Sequence, residues 1–185
     1  MATQDTNYRT TQTNAALRNY YLTRGLVAAG WVVAAFTIGQ SAPLAAAVLL
    51  VAYPAWDAVA NLFDAARSGG LARNRSQAVN AVMSGIAALA ILFTLGDIKT
   101  VVGVFGAWAI VAGLLQLVTG LRRWKSFGAQ WTMVLSGAQS ALAGGFFIKQ
   151  SLGTVHGIAD VAPYAGFGAF YFLVSALWLT VRRGR

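Results

Sequence analysis

The sequence predicts an all-α membrane protein with six transmembrane helices, arranged as three parallel two-helix hairpins with both termini in the cytoplasm. The first observation behind this prediction is composition: 57% of the 185 residues are hydrophobic and 10% are charged, whereas a soluble domain averages about 25% charged residues. The second is length, because six apolar segments approach the roughly 20 residues that a helix needs to cross a bilayer core. The segments are residues 21–38, 44–63, 78–95, 101–121, 130–148 and 163–181.

The distribution of basic residues is the third observation, and it predicts the orientation. Twelve of the 14 Arg and Lys residues lie near the start of the first segment, in the second and fourth gaps between segments, or after the last segment. Lys99 and Lys149 are the two exceptions. Short loops rich in Arg and Lys stay cytoplasmic, so both termini are predicted to lie inside.

The same pattern divides the chain into three parts. Residues 1–19 form a polar cytoplasmic N-terminal tail, residues 20–182 form the transmembrane bundle, and residues 183–185 form a basic C-terminal end. Two interpretations of the tail stay open at this stage, a flexible segment and an interfacial helix that ends near Arg18.

Short internal matches predict the hairpin repeat. Ala55-Trp56 in the second segment recurs as Ala107-Trp108 in the fourth, and Ser84-Gly85 recurs as Ser136-Gly137 with the same offset of 52 residues. The unit is then a hairpin used three times, over residues 20–66, 75–122 and 127–182, and because each copy starts inside, the copies are parallel repeats. Chance similarity between runs of Ala, Val and Leu is the alternative.

The six short segments, the three hairpins, the Arg24-Gly25-Leu26 opening of the first segment and the stretch from Trp124 to Phe147 carry a resemblance. Over residues 20–183 the chain resembles the HdeD family of small bacterial acid-resistance membrane proteins and its wider short-repeat family of unknown function. The resemblance implies a bacterial inner-membrane location and a role in acid or envelope stress. It supplies no functional residue.

Small residues predict where helices approach closely. The fifth segment carries two rows at four-residue spacing, Ser136/Ser140/Gly144 and Gly137/Ala141/Gly145. Such rows let helix backbones pack against one another in a membrane. We expect this helix to be deeply packed within one bundle; a contact between two copies of the chain is the alternative.

The expected partners follow from charge. The cytoplasmic Arg and Lys residues lie where anionic lipid headgroups would be, so membrane lipids, including anionic headgroups on the cytoplasmic side, are predicted partners. Nucleic acid is not expected, because the basic residues flank apolar segments and do not form a patch on a soluble face. A second copy of the chain or another membrane protein stays open as a partner.

The main candidate site lies on the second segment. Asp57, Asn61 and Asp64 recur at i, i+4 and i+7 and therefore share one helix face. Gln116 occupies the position equivalent to Asp64 in the next repeat. An ionised carboxylate is costly in hydrocarbon, so this face is predicted to form a short polar path open to the cytoplasm. The alternative is a structural pair: Asp57 is then hydrogen-bonded to Asn80, Gln116, Gln139 or a Trp, and Asp64 is interfacial and paired with a loop Arg such as Arg67 or Arg75.

A second candidate lies at the outer side. His156 and Asp160 are one helical turn apart and are predicted to form a pair that responds to external acid; a solvated loop His is the alternative. Four residues each precede an apolar run and are predicted to cap exposed helix amides: Ser41, Asp97, Ser126 and Asp160.

Composition argues against catalysis. The chain has no Cys, one His and five acidic residues, all of them Asp, so it lacks the nucleophile, base and ligand sets of hydrolases and metal sites. No catalytic, metal or cofactor site is predicted. Two functions remain: a non-enzymatic protein of the envelope stress response, and a small channel or transporter that moves protons or a small solute along the Asp57 face.

Overall fold

The computed structural model describes residues 2–122, 124 and 130–181, with side chains from residue 15 onward, and these residues form helices and connections without strands. The predicted basic end at residues 183–185 lies outside the described residues. The helices are α1 (Ala2–Thr37), α2 (Pro43–Arg67), α3 (Arg75–Thr94), α4 (Ile98–Arg122), α5 (Gln130–Ser151) and α6 (Ile158–Val181).

The helix α1 is longer than the first predicted segment. It begins at Ala2 and continues without interruption to Thr37, so residues 2–19 are helical and continuous with the apolar part. The sequence has no Gly or Pro between Ala2 and Arg24 that would end a helix. The structure therefore shows a helix in this segment, but one that does not end near Arg18 and is not separate from the apolar part.

Four of the described helices are long and apolar enough to cross a membrane, namely α2, α3, α4 and α6. The other two carry more polar residues. In α5, Thr132, Ser136 and Ser140 are buried inside the bundle, and Arg24 of α1 also lies mostly out of solvent. The polar residues of these two helices thus contribute to the interior of the protein.

The helices form a closed antiparallel ring in which each helix packs against its neighbours in the chain and α1 packs against α6. The most extensive contacts are α4 with α5, α1 with α6, and α2 with α3. These pairs fall at every second interface of the ring. The two helices within each predicted hairpin pack less extensively than the helices that join one hairpin to the next.

The closest helix contact lies between α4 and α5 and is made by glycines. A Cβ atom on Gly144 would lie 2.5 Å from the carbonyl oxygen of Gly106, and one on Gly113 would lie 2.6 Å from that of Gly137. The backbones therefore touch, which confirms the deep packing predicted for the fifth segment. Gly145 also belongs to the predicted rows, but a Cβ atom on it would meet no neighbouring helix within 4 Å, so it faces outward.

Aromatic side chains fill one half of the interior. The loops at residues 38–42, 95–97 and 152–157 define what we call the far end of the bundle, and the loop at 68–74 marks the terminal end. Toward the far end, rings with centroids 4.9–6.2 Å apart join five helices. This aromatic layer comprises Trp31, Tyr53, Phe105, Trp108, Phe147 and Tyr164. Buried valines and isoleucines, among them Val101 and Val161, continue it toward the far end.

Candidate functional site

An ion pair between α1 and α2 lies at the centre of the site. The Arg24 guanidinium contacts Oδ1 of Asp57, and their side chains are 15% and 9% exposed. Arg24 also donates to the Tyr20 hydroxyl at 3.1 Å and lies over the Phe172 ring at 4.5 Å. The charge of Asp57 is therefore compensated inside the bundle, as a buried carboxylate requires.

The second oxygen of Asp57 is also fully engaged. Its Oδ2 accepts hydrogen bonds from Asn61 Nδ2 at 3.0 Å and from the Ser84 hydroxyl at 2.9 Å. Ser84 in turn accepts the indole N–H of Trp108 at 2.8 Å. One carboxylate thus connects α1, α2 and α3 directly and α4 through Ser84, and we call this set the Asp57 network.

A polar cavity of about 60 Å³ borders the ion pair. Its walls include Asn80 of α3, Gln116 of α4, and Ser136 and Gln139 of α5. Within the described part of the chain, the buried Oδ1 of Asn80 has no hydrogen-bond partner. A polar space of this size is large enough for a few water molecules.

A smaller cavity of about 30 Å³ lies toward the terminal end and shares Arg24, Asn80 and Gln116 with the first. Asp64 lines this second cavity, where its carboxylate accepts a hydrogen bond from Gln77 at 3.0 Å. Polar side chains therefore extend from Asp64, near the terminal end, to the Asp57 network. Beyond the network the aromatic layer closes the interior.

All four residues of the predicted polar site lie along this stretch. Asp57 and Asn61 are hydrogen-bonded to each other, Asp64 lies one to two turns nearer the terminal end, and Gln116 lines both cavities from α4. The partners of the two carboxylates differ from those of the structural alternative: Asp57 contacts Arg24, Asn61 and Ser84, and Asp64 accepts from Gln77. That the polar stretch opens to the cytoplasm stays a prediction.

Sequence reasoning missed Arg24 as the partner of Asp57. Its charge fits the pattern of flanking basic residues that predicts orientation, but Arg24 lies three residues inside the segment that starts at Tyr21. That depth was the available signal, because a cation inside an apolar segment needs an internal partner. The repeat match at Ser84-Gly85 does not indicate that the Ser84 hydroxyl donates a hydrogen bond to Asp57.

The residues at the far end match the predictions in part. Ser41 does not cap α2, whose N-cap is Ala42, and Asp160 lies inside the first turn of α6. Ser126 lies outside the described residues. His156 Nδ1 lies 3.5 Å from Asp160 Oδ1, with the imidazole 75% exposed, and the His156 backbone N–H donates to Asp160 at 2.6 Å. Asp97 caps α4 as predicted, accepting from the Lys99 N–H at 3.1 Å and the Thr100 hydroxyl at 2.5 Å. The Thr100 hydroxyl, followed by the backbone amides, holds the pKa of the Asp97 carboxyl below its usual value.

Comparison with known families adds one finding. Residues 77–149 match the family model of a short repeat of unknown function (DUF308). This membrane family of unknown function covers α3, α4 and most of α5, and with them Asn80, Ser84, Trp108 and Gln116. No curated protein and no solved structure matches the chain. The match and the apolar helices together are consistent with an integral membrane protein.

Proposed function

We propose that this protein is a non-enzymatic, six-span protein of the bacterial inner membrane, with both termini cytoplasmic, that acts in resistance to acid or envelope stress. The observation that carries the proposal is the Arg24–Asp57 pair, which is shielded from the far end of the bundle by the aromatic layer. The short-repeat match over residues 77–149 and the resemblance to the HdeD family support the same class of function.

The orientation gives this arrangement a physical meaning. With the basic loop at residues 68–74 in the cytoplasm, the far end faces the outside, which is the side exposed to acid. The aromatic layer and its neighbouring valines contain no carboxylate or imidazole. External protons therefore meet only surface groups before this layer, and the layer separates them from the carboxylate that links the helices.

Surface groups at the far end are consistent with the same account. Asp97 keeps its charge to lower pH than an ordinary carboxyl, because its folded-state pKa is lowered by the Thr100 hydroxyl. A depressed pKa contributes stability that is fully present above the ordinary pKa and is lost as the pH falls through the lowered value. The cap on α4 is therefore retained under mild acid.

The proposal that the protein is not an enzyme rests on its residues. The chain has no Cys and no Glu, and its one His is largely exposed at the far end. Nucleophilic or metal-assisted catalysis needs a positioned base or a cluster of ligands. The polar interior instead contains amide and hydroxyl side chains around the Arg24–Asp57 ion pair, in which the two charges compensate each other.

Acid survival tests the proposal. In a bacterium that encodes this protein, we expect deletion of the gene to lower survival after exposure to low pH, and the wild-type gene to restore it. Gly145→Leu, which faces outward, should also restore survival, whereas Gly144→Leu, which separates α4 from α5, should not. Equal survival of the deleted and complemented strains under both acid and envelope stress would refute a role in resistance.

A second candidate function is a pathway for protons or a small solute. It is favoured by the cavity beside Asp57, by the buried Asn80 oxygen that lacks a partner in the described chain, and by the continuity of polar walls toward Asp64. Transport would require the aromatic layer to open, since alternating access exposes a central site to each side in turn. Proton flux distinguishes this function from the first.

A further inference from the structure

A groove of about 340 Å³ separates α1 and α2 in the half of the bundle nearer the terminal end. Its walls include Asn19 and Thr23 of α1 and Trp56, Phe63 and Arg67 of α2. These two helices make the least extensive contact among neighbours in the ring, so the groove opens sideways at the surface of the bundle. Tyr20 and Arg24, the latter paired with Asp57, also line it.

The chemistry of the groove changes along the helix axis. Trp56, Ala60, Phe63 and Arg67 follow one another at i, i+4, i+7 and i+11, so they form one stripe on α2. Arg67 lies in the last turn, at the terminal end, and is exposed. Phe63 is 57% exposed and Trp56 lies about three turns deeper than Arg67. The stripe therefore runs from a cation to an aromatic, apolar wall.

Two polar groups of this groove have no partner within the described residues. The Arg67 guanidinium makes no ion pair or hydrogen bond there, and neither does the indole N–H of Trp56. The other deep indoles are satisfied: Trp31 donates to the Leu49 carbonyl at 2.7 Å and Trp108 donates to Ser84. Within the described residues, the groove therefore presents one cation without a protein partner at its outer end, while Trp56 contributes its ring to the deep part of the wall.

We propose that this groove binds one anionic phospholipid. Its phosphate lies against Arg67 at the membrane surface, and one acyl chain lies along Phe63, Ala60 and Trp56, which follow at increasing depth. The charge complements an anionic headgroup, and the apolar length complements a chain that a free phosphate ion lacks. Basic pockets between helices at the cytoplasmic side are a recognised setting for acidic headgroups.

A neighbouring cavity supplies a matched comparison. Arg73, Arg75 and Arg122 line a space of about 260 Å³ at the same end of the bundle, together with short polar side chains of α3 and α4. That cavity has more positive charge but no aromatic wall. If general attraction of acidic lipids to basic residues were enough, this cavity would bind lipid at least as well as the groove.

Native mass spectrometry of the purified full chain in detergent, titrated with phosphatidylglycerol or phosphatidylcholine, tests the proposal. We expect one phosphatidylglycerol to remain bound to the wild type. Arg67→Gln should lower its affinity about fivefold, as expected for the loss of one basic contact at the membrane surface. Arg122→Gln makes the same charge change at the same end and should leave the affinity within about twofold of the wild type.

The apolar part of the groove is tested separately. Trp56→Leu removes the aromatic ring from the deep part of the wall, and Phe63→Ala shortens the exposed wall without touching the buried core. Both should lower phosphatidylglycerol retention, with thermal unfolding used to confirm that each variant is folded. The proposal is overturned if Arg122→Gln weakens binding as much as Arg67→Gln, if phosphatidylcholine binds equally well, or if inorganic phosphate displaces the lipid.

Discussion

Replacement of Asp57 by Leu should lower the free energy of unfolding by about 3–5 kcal/mol, the cost of leaving a buried charge without its partner. The variant leaves the Arg24 guanidinium in an interior where its side chain is 15% exposed. It also removes the acceptor for Asn61 and Ser84. Unfolding of the purified protein in mixed micelles, followed by circular dichroism, measures the loss.

The double variant Arg24→Met with Asp57→Leu is the control for this effect. Because both charges are removed together, it should recover most of the stability, as buried ion pairs replaced by apolar residues often do. Arg24→Met alone should be as destabilising as Asp57→Leu alone. If the two single losses simply add in the double variant, the residues do not interact, and the ion pair would not be the centre of the site.

The second large effect is expected at the contact between α4 and α5. Gly144→Leu should cost about 3 kcal/mol or more, at the upper end of what overpacking costs. Its Cβ atom would lie 2.5 Å from the Gly106 carbonyl oxygen, so the two backbones must separate along the most extensive interface of the ring. The same unfolding measurement reports the loss.

Gly145→Leu is the matched control for that prediction, since it introduces the same side chain one residue further along α5. No atom of a neighbouring helix lies within 4 Å of its Cβ position, and replacing Gly inside a helix favours the helix by up to about 1 kcal/mol. We therefore expect stability equal to or slightly above that of the wild type. Equal losses from the two substitutions would show that the α4–α5 backbones do not need to touch.

Much of the helix layout follows from hydrophobic length, and the exceptions have physical reasons. The sequence predicts that the sixth segment begins at Pro163, since proline suits the first turn of a helix. The structure begins α6 at Ile158 and places Pro163 inside it. Ile158, Val161 and Ala162 are buried against the core, and their burial offsets the backbone hydrogen bond that the proline cannot donate.

The sequence predicts only the part of the candidate site that lies on one face of α2. Helical spacing alone brings Asp57, Asn61 and Asp64 to one face, and this local pattern is readable from the chain. The partner of Asp57 is 33 residues away on α1, and that contact depends on how α1 and α2 are rotated toward each other in the ring. Periodicity shows which face of a helix is polar but not which residue of a neighbouring helix faces it.

The predicted repeat does not indicate which role each of its matching residues has in the structure. Trp56 and Trp108 are equivalent in the predicted repeat, yet Trp108 is buried and donates to Ser84 while Trp56 lines the lateral groove. The difference follows from the unequal packing of the helix pairs. Residues at matching positions of the predicted repeat thus have different roles in the structure.

Proton flux into liposomes tests most directly the claim that the interior is closed between the Asp57 network and the far end. The full chain is reconstituted with a pH-sensitive dye inside, a pH step is applied, and a proton ionophore serves as the positive control. The account predicts that the wild type acidifies no faster than protein-free liposomes, and that Arg24→Gln with Asp57→Asn behaves in the same way. Rapid acidification by the wild type that is lost in this double variant would contradict it and establish the transport function instead.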